Sequence, residues 1–122
     1  MKRLCSVNKA FPFLLDEEGS DVPRGADTYY SEWLHVGSLH ELLFLINVKA
    51  VSTGSPTLAV TLQTSPNAST AFDHTAYDSS INAAGQYIKP VTNFGKFVRL
   101  EAVVAGTDTP TVTFEAFIVA KS

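Results

Sequence analysis

The residues of this 122-residue chain that could carry out chemistry are three histidines, one cysteine and twelve carboxylates. Asp73, His74 and Asp78 could put two carboxylates and an imidazole on one loop, but a zinc centre draws on spaced ligand pairs, and none follows here. His35 and His40 flank a turn at Gly37, the ordinary place for a partly exposed structural histidine. A catalytic nucleophile needs a base within hydrogen-bond reach and a third group to orient that base. Cys5 stands among Lys2, Arg3 and Lys9 without such partners, and no serine sits in a strand-turn-helix elbow. Glycoside hydrolysis needs two carboxylates facing each other about 5–10 Å apart. Most of the acidic residues fall in loops or near the amino end. Glu101 and Glu115 could face each other across the last strand pair, as could Arg99 and Glu115, and a surface ion pair is the expected outcome. Gly54, Gly85, Gly95 and Gly106 are isolated in turns with no helix start behind them, so no phosphate-cradling loop is present. Asn67-Ala68-Ser69 matches a glycosylation sequon of a kind three common residues produce by chance. No catalytic residue, metal ligand or cofactor is expected.

Composition narrows the partners. Charged residues make up 17% of the chain against 45% hydrophobic ones, below the roughly 25% charge usual in soluble domains. Thr, Ser, Ala and Asn fill the difference, as in a protein that works inside an assembly. A net charge of -3 argues against nucleic acid, which requires a concentrated Lys/Arg face. The longest apolar run, residues 42–46, is far short of the ~20 residues of a spanning helix, so no membrane partner is expected. The positive start is interrupted by Asn8, Lys9 and Pro12 and closed by Asp16-Glu17-Glu18, unlike a signal peptide, and synthesis in the cytoplasm is expected. A single cysteine allows no intrachain disulfide.

Positioning is left to strands. Residues 97–105 place Val98, Leu100, Ala102 and Val104 on one face and Phe97, Arg99, Glu101 and Val103 on the other; residues 112–119 and 57–63 alternate in the same way. Residues 38–51 carry two competing signals. Ser38 with Glu41 resembles a helix capping box above a Leu39, Leu42, Leu43, Ile46 stripe, whereas alternation through Val51 into a turn predicts a strand. The strand is the reading adopted, with its first half, apolar on both sides, covered on both. Residues 29–36 predict a first strand that carries Trp33 into the core. Two loops echo each other: Ala50-Val51-Ser52-Thr53-Gly54-Ser55-Pro56-Thr57 and Val103-Val104-Ala105-Gly106-Thr107-Asp108-Thr109-Pro110-Thr111 both read strand, glycine loop, Pro-Thr, strand. They predict two matched hairpins. The fold expected is an all-β, antiparallel β-sandwich, jelly-roll-like, of about seven or eight strands over residues 28–122, preceded by an extended N-terminal arm over residues 1–27. Phe11, Phe13, Leu14 and Leu15 form an apolar patch on that arm and are the candidate partner-binding residues.

From Ser31-x-Trp33 and Leu42-Leu43-Phe44-Leu45, through Gly54-Ser55-Pro56-Thr57-Leu58 and Leu62-Gln63-x-Ser65-Pro66, to Phe97-Val98-Arg99-Leu100 and Gly106-Thr107-x-x-Pro110, the chain resembles small β-sandwich virion proteins of tailed bacteriophages. The resemblance covers roughly residues 29–120 and leaves the arm unmatched. It implies an auxiliary structural protein, homo-oligomeric, that binds the major capsid protein or other virion proteins: a capsid decoration protein, or a neck or tail accessory. It implies localisation in the virion after synthesis in a bacterial host. A carbohydrate-binding or host-recognition sandwich, presenting Tyr29, Tyr30, Trp33, Tyr77 and Tyr87, is the alternative.

Overall fold

Alternating residues fix the strands before any pairing is considered. In the computed structural model, which describes the backbone of residues 5–11 and all of 24–37, 39–78, 80–107 and 109–121, the stretch with two signals is a strand. It is β5 (Glu41–Val51), and Leu42, Phe44, Ile46 and Val48 are its buried face. The other strands are β1 (Cys5–Phe11), β2 (Arg24–Gly25), β3 (Asp27–Tyr30), β4 (Leu34–His35), β6 (Thr57–Ser65), β7 (Phe72–Ala76), β8 (Gly85–Thr92), β9 (Phe97–Ala105) and β10 (Thr111–Lys121). No helix occurs among the described residues.

The strands form two antiparallel sheets. The first runs β1-β10-β5-β8 with β2 also on β10, and the second runs β3-β9-β6-β7 with β4 also on β9. β1 and β2 lie end to end along one edge of β10, opposite residues 116–121 and 111–112. β3 and β4 divide the edge of β9 in the same way. Among the described residues ten strands therefore fill eight positions, and the expected antiparallel sandwich is the fold. The stretch 1–27 read as an arm supplies β1 and β2, and Asp27 already opens β3.

The core lies between the sheets. Phe44, Ile46, Phe114 and Ile118 from the first meet Leu58, Leu62, Val98 and Leu100 from the second, all at most 2% exposed. Each fully buried side chain of this size contributes about 1.5–3 kcal/mol. Trp33, expected in that core, is half-buried outside it. The reason is that residues 29–36 are not one strand: the chain leaves β9 after Tyr30 and rejoins at Leu34.

Ser31 bridges the gap. Its N–H donates to Leu100 O at 3.0 Å, and its Oγ accepts from Leu100 N–H at 2.8 Å. Ser31→Ala strands that buried N–H, a loss of about 1–3 kcal/mol; chemical denaturation should show a lowered midpoint with an unchanged slope.

The two echoing loops are not hairpins. β5 belongs to the first sheet and β6 to the second, and β9 and β10 are divided likewise, so residues 52–56 and 106–110 both cross the sandwich. Because β5 pairs with β10 and β6 with β9, the two crossings run side by side and bond to each other. Thr107 donates through its N–H and its Oγ1 to Gly54 O, both at 3.0 Å. Ser52 N–H donates to Thr111 O at 3.0 Å, and Thr111 N–H returns a bond to Ser52 Oγ at 2.8 Å.

Candidate interaction surfaces

With inner faces committed to the core, the outer faces carry whatever the molecule offers to others. The outer face of the second sheet is polar and centred on Gln63, which is 6% exposed. Its Nε2 donates to Asp73 Oδ1 at 2.8 Å and to Glu101 Oε2 at 3.4 Å, while its Oε1 accepts from Arg99 Nε at 2.8 Å. The Arg99 guanidinium also lies 4.3 Å from the Tyr30 ring centre and 4.4 Å from that of Trp33. Cation–π contacts of this kind contribute about 0.5–2 kcal/mol each. Trp33 was missed as a surface residue because its type argues for burial, while its position, in the break between β3 and β4, is set by pairing with β9.

The outer face of the first sheet is apolar. Pairing aligns Phe117, Leu45 and Ile88 in one row and Val119, Leu43 and Pro90 in the next. Ile88 is 60% exposed. Leu45, Ile88 and Phe117, with Asn47 and Gln86, line a shallow depression of about 290 Å³. Ion pairs close the stripe at both ends: Lys49 Nζ to Glu115 Oε2 at 3.8 Å, and Lys121 Nζ to Glu41 Oε2 at 4.0 Å. The first half of β5, expected to be covered on both sides, is fully covered on one: among the described residues Leu42 and Phe44 are buried, while Leu43 and Leu45 on the other face are half-buried.

The residues singled out for chemistry do not converge. Glu101 and Arg99, either of which could have faced Glu115, lie on the opposite side of the sandwich from it, because β9 and β10 are in different sheets; the ion pair of Glu115 is with Lys49. His35 stacks on Phe97 with ring centres 5.0 Å apart. His74 contacts Thr75 Oγ1 at 2.7 Å and Asn93 O at 2.9 Å, and Asp78 accepts from Lys89 at 2.5 Å. Among the described residues, no three His, Cys, Asp or Glu side chains gather as a metal site would require. Asn67 of the sequon is tied into its own turn, its Oδ1 accepting from Ser69 and Thr70 N–H at 3.0 and 2.9 Å.

The five aromatics weighed for sugar binding sit in three places. Tyr30 and Trp33 contact Arg99; Tyr29 donates from its hydroxyl to Gly25 O at 2.7 Å; Tyr77 and Tyr87 meet edge to face at 5.5 Å. They do not form one platform. Of the partner-binding patch, Phe11 ends β1 opposite Ala116, and Phe13, Leu14 and Leu15 lie outside the described residues.

No family model and no curated protein sequence matches the chain. Solved structures do resemble it in fold. A chain in the structure of the infectious bursal disease virus Gx strain superposes with a TM-score of 0.64 over 99% of this chain, at 10% identity. The PBSX exported protein XepA superposes with a TM-score of 0.59 over 96%, at 8% identity. The chain spans about a third of the length of each, 32% and 36% respectively, and at such identities the likeness is one of fold: an antiparallel β-sandwich shared with a viral structure.

Proposed function

We propose that this chain is a non-enzymatic structural protein of a phage particle, a capsid decoration or stabilising protein that binds the major capsid protein. The observation that carries the reading is the match of nearly the whole chain to part of a virus structure. The strand order supports it: two sheets in which β5-β6 nest against β10-β9 follow the wrapping of a jelly roll, an architecture common in viral capsid and lectin domains. The low charge and the apolar outer face of the first sheet suit life inside an assembly. In this reading the sandwich, with β1 and β2 in its first sheet, is a rigid block, and Phe11, Phe13, Leu14 and Leu15 anchor it to neighbouring capsid subunits.

The test is to purify particles on a gradient and count this protein against the major capsid protein. Hundreds of copies per particle support decoration, a dozen or fewer move the protein to the neck or tail, and none overturns the virion reading. For the anchor, Phe13→Asp with Leu15→Asp is a cleaner variant than deletion of residues 1–15, which would also remove β1 from its sheet. It should abolish particle binding and leave the melting temperature within a few degrees of wild type; undiminished binding refutes the anchor.

A further inference from the structure

We infer that the outer face of the first sheet is a dimer surface, on which a second copy of this chain docks face to face about a two-fold axis running across the strands. A self-complementary patch must present opposite charges at positions the axis exchanges, and this face does. Its apolar centre is the two rows Phe117-Leu45-Ile88 and Val119-Leu43-Pro90, exchanged by an axis passing between them. At one end stand Lys49 on β5 and Glu115 on β10; at the other, Glu41 on β5 and Lys121 on β10. Rotation brings Glu115 over Lys121 of the second copy and Lys121 over its Glu115, so that an anion meets a cation at both ends of β10, while Asn47, the neighbour of Glu115 in the sheet, comes over Glu41.

The register also selects this axis. A two-fold parallel to the strands would exchange β5 with β10 and lay β8 against β1, bringing Ile88 to the row position held by Lys9, which is opposite Phe117. The axis across the strands keeps β8 over β8 and the apolar rows over each other. The size is adequate. β5 has 11 residues, about 36 Å at roughly 3.3 Å each, and four strand positions about 4.8 Å apart make the face roughly 19 Å wide. Two such faces cover on the order of 1,400 Å², within the range of about 1,200–2,000 Å² for stable complexes.

Sedimentation equilibrium of the purified full chain tests the inference, with thermal melts confirming that each variant folds. Wild type should be a dimer. Ile88→Glu, at an exposed position, should dimerise roughly tenfold or more weakly by burying a charge at the end of an apolar row. The double variant K49E/E115K keeps its intrachain ion pair but sets like charges against each other across the axis, and should lose the dimer to a similar degree. Adding E41K and K121E restores opposite charges at positions 115 and 121 across the axis, keeps the second intrachain pair, and should restore the dimer. A wild-type chain that stays monomeric at millimolar concentration overturns the inference, as does a dimer indifferent to K49E/E115K. No particles enter the measurement, so a monomeric result leaves the virion reading standing, and a dimer that fails to join particles leaves this one standing.

Discussion

Phe44→Ala is expected to cost about 3–5 kcal/mol of stability, read as a fall in melting temperature of roughly 10–25 °C for a domain of this size. Phe44 is fully enclosed, at 0% exposure. It sits in the middle of β5, opposite Ile118 on β10 and Lys89 on β8, in the strand with a neighbour on each side in the first sheet. Truncation removes the transfer energy of the ring and leaves a void that rigid strands on both flanks cannot collapse to fill. Ile88→Ala, on the neighbouring strand but outward, should change the melting temperature of the monomer by only a few degrees. If the two substitutions prove equally costly, the assignment of inner and outer faces to the first sheet is wrong.

Gly106→Val should be nearly as damaging, by a different route. Gly106 has φ +145°, where only glycine is at ease. A Cβ there would lie 2.9 Å from Pro110 Cβ, 3.0 Å from Pro56 Cα and 3.1 Å from Ser55 O. Two of those atoms belong to the loop from the other crossing, so relief requires the loops to part and the bonds from Thr107 to Gly54 to break. Backbone strain alone costs about 1–3 kcal/mol, and the lost inter-loop bonds add about 1 kcal/mol more. Gly106→Ala should fall between wild type and valine. Unfolding in urea, compared across the three, gives the order; equal stability of all three would mean that the loops do not touch.

What could be read from the sequence was local. The division of β9 into Val98, Leu100, Ala102 and Val104 inward and Arg99 and Glu101 outward follows from a period of two, and so do the faces of β5, β6 and β10. Where a chain goes after a strand is not periodic. Five residues from Ser52 to Pro56 can return beside β5 or cross the roughly 10 Å between sheets, and nothing in Gly54 or Pro56 distinguishes the two. The echo between the loops was real, and its meaning is that two crossings running in opposite directions bond to each other. The same gap hid the apolar face. Leu43 and Leu45 announced a second apolar side to β5, but its neighbours Ile88 and Phe117 are assembled by pairings that span some forty and seventy residues of chain. Trp33 illustrates the limit of residue type: a tryptophan is assigned inward on size, yet the break after Tyr30 turns it onto Arg99.

The place of β10 governs how the molecule can be born. It follows the other nine described strands in the chain, yet it lies inside the first sheet with β1 and β5 on its two sides. A ribosome that has delivered β1 and β5 has made two strands with no partner between them, and β6 waits likewise for β9. Among neighbours in the chain, β6 and β7 pair directly, so that hairpin is what can form early. The first sheet must close late, in one step, when the final strand inserts, and with most pairings non-local that step belongs to the slow, millisecond-to-second class of β folding. Until then the edge of β5 that β10 will occupy is unpaired, and a nascent or truncated chain lacking residues 111–121 is the form that most needs a chaperone.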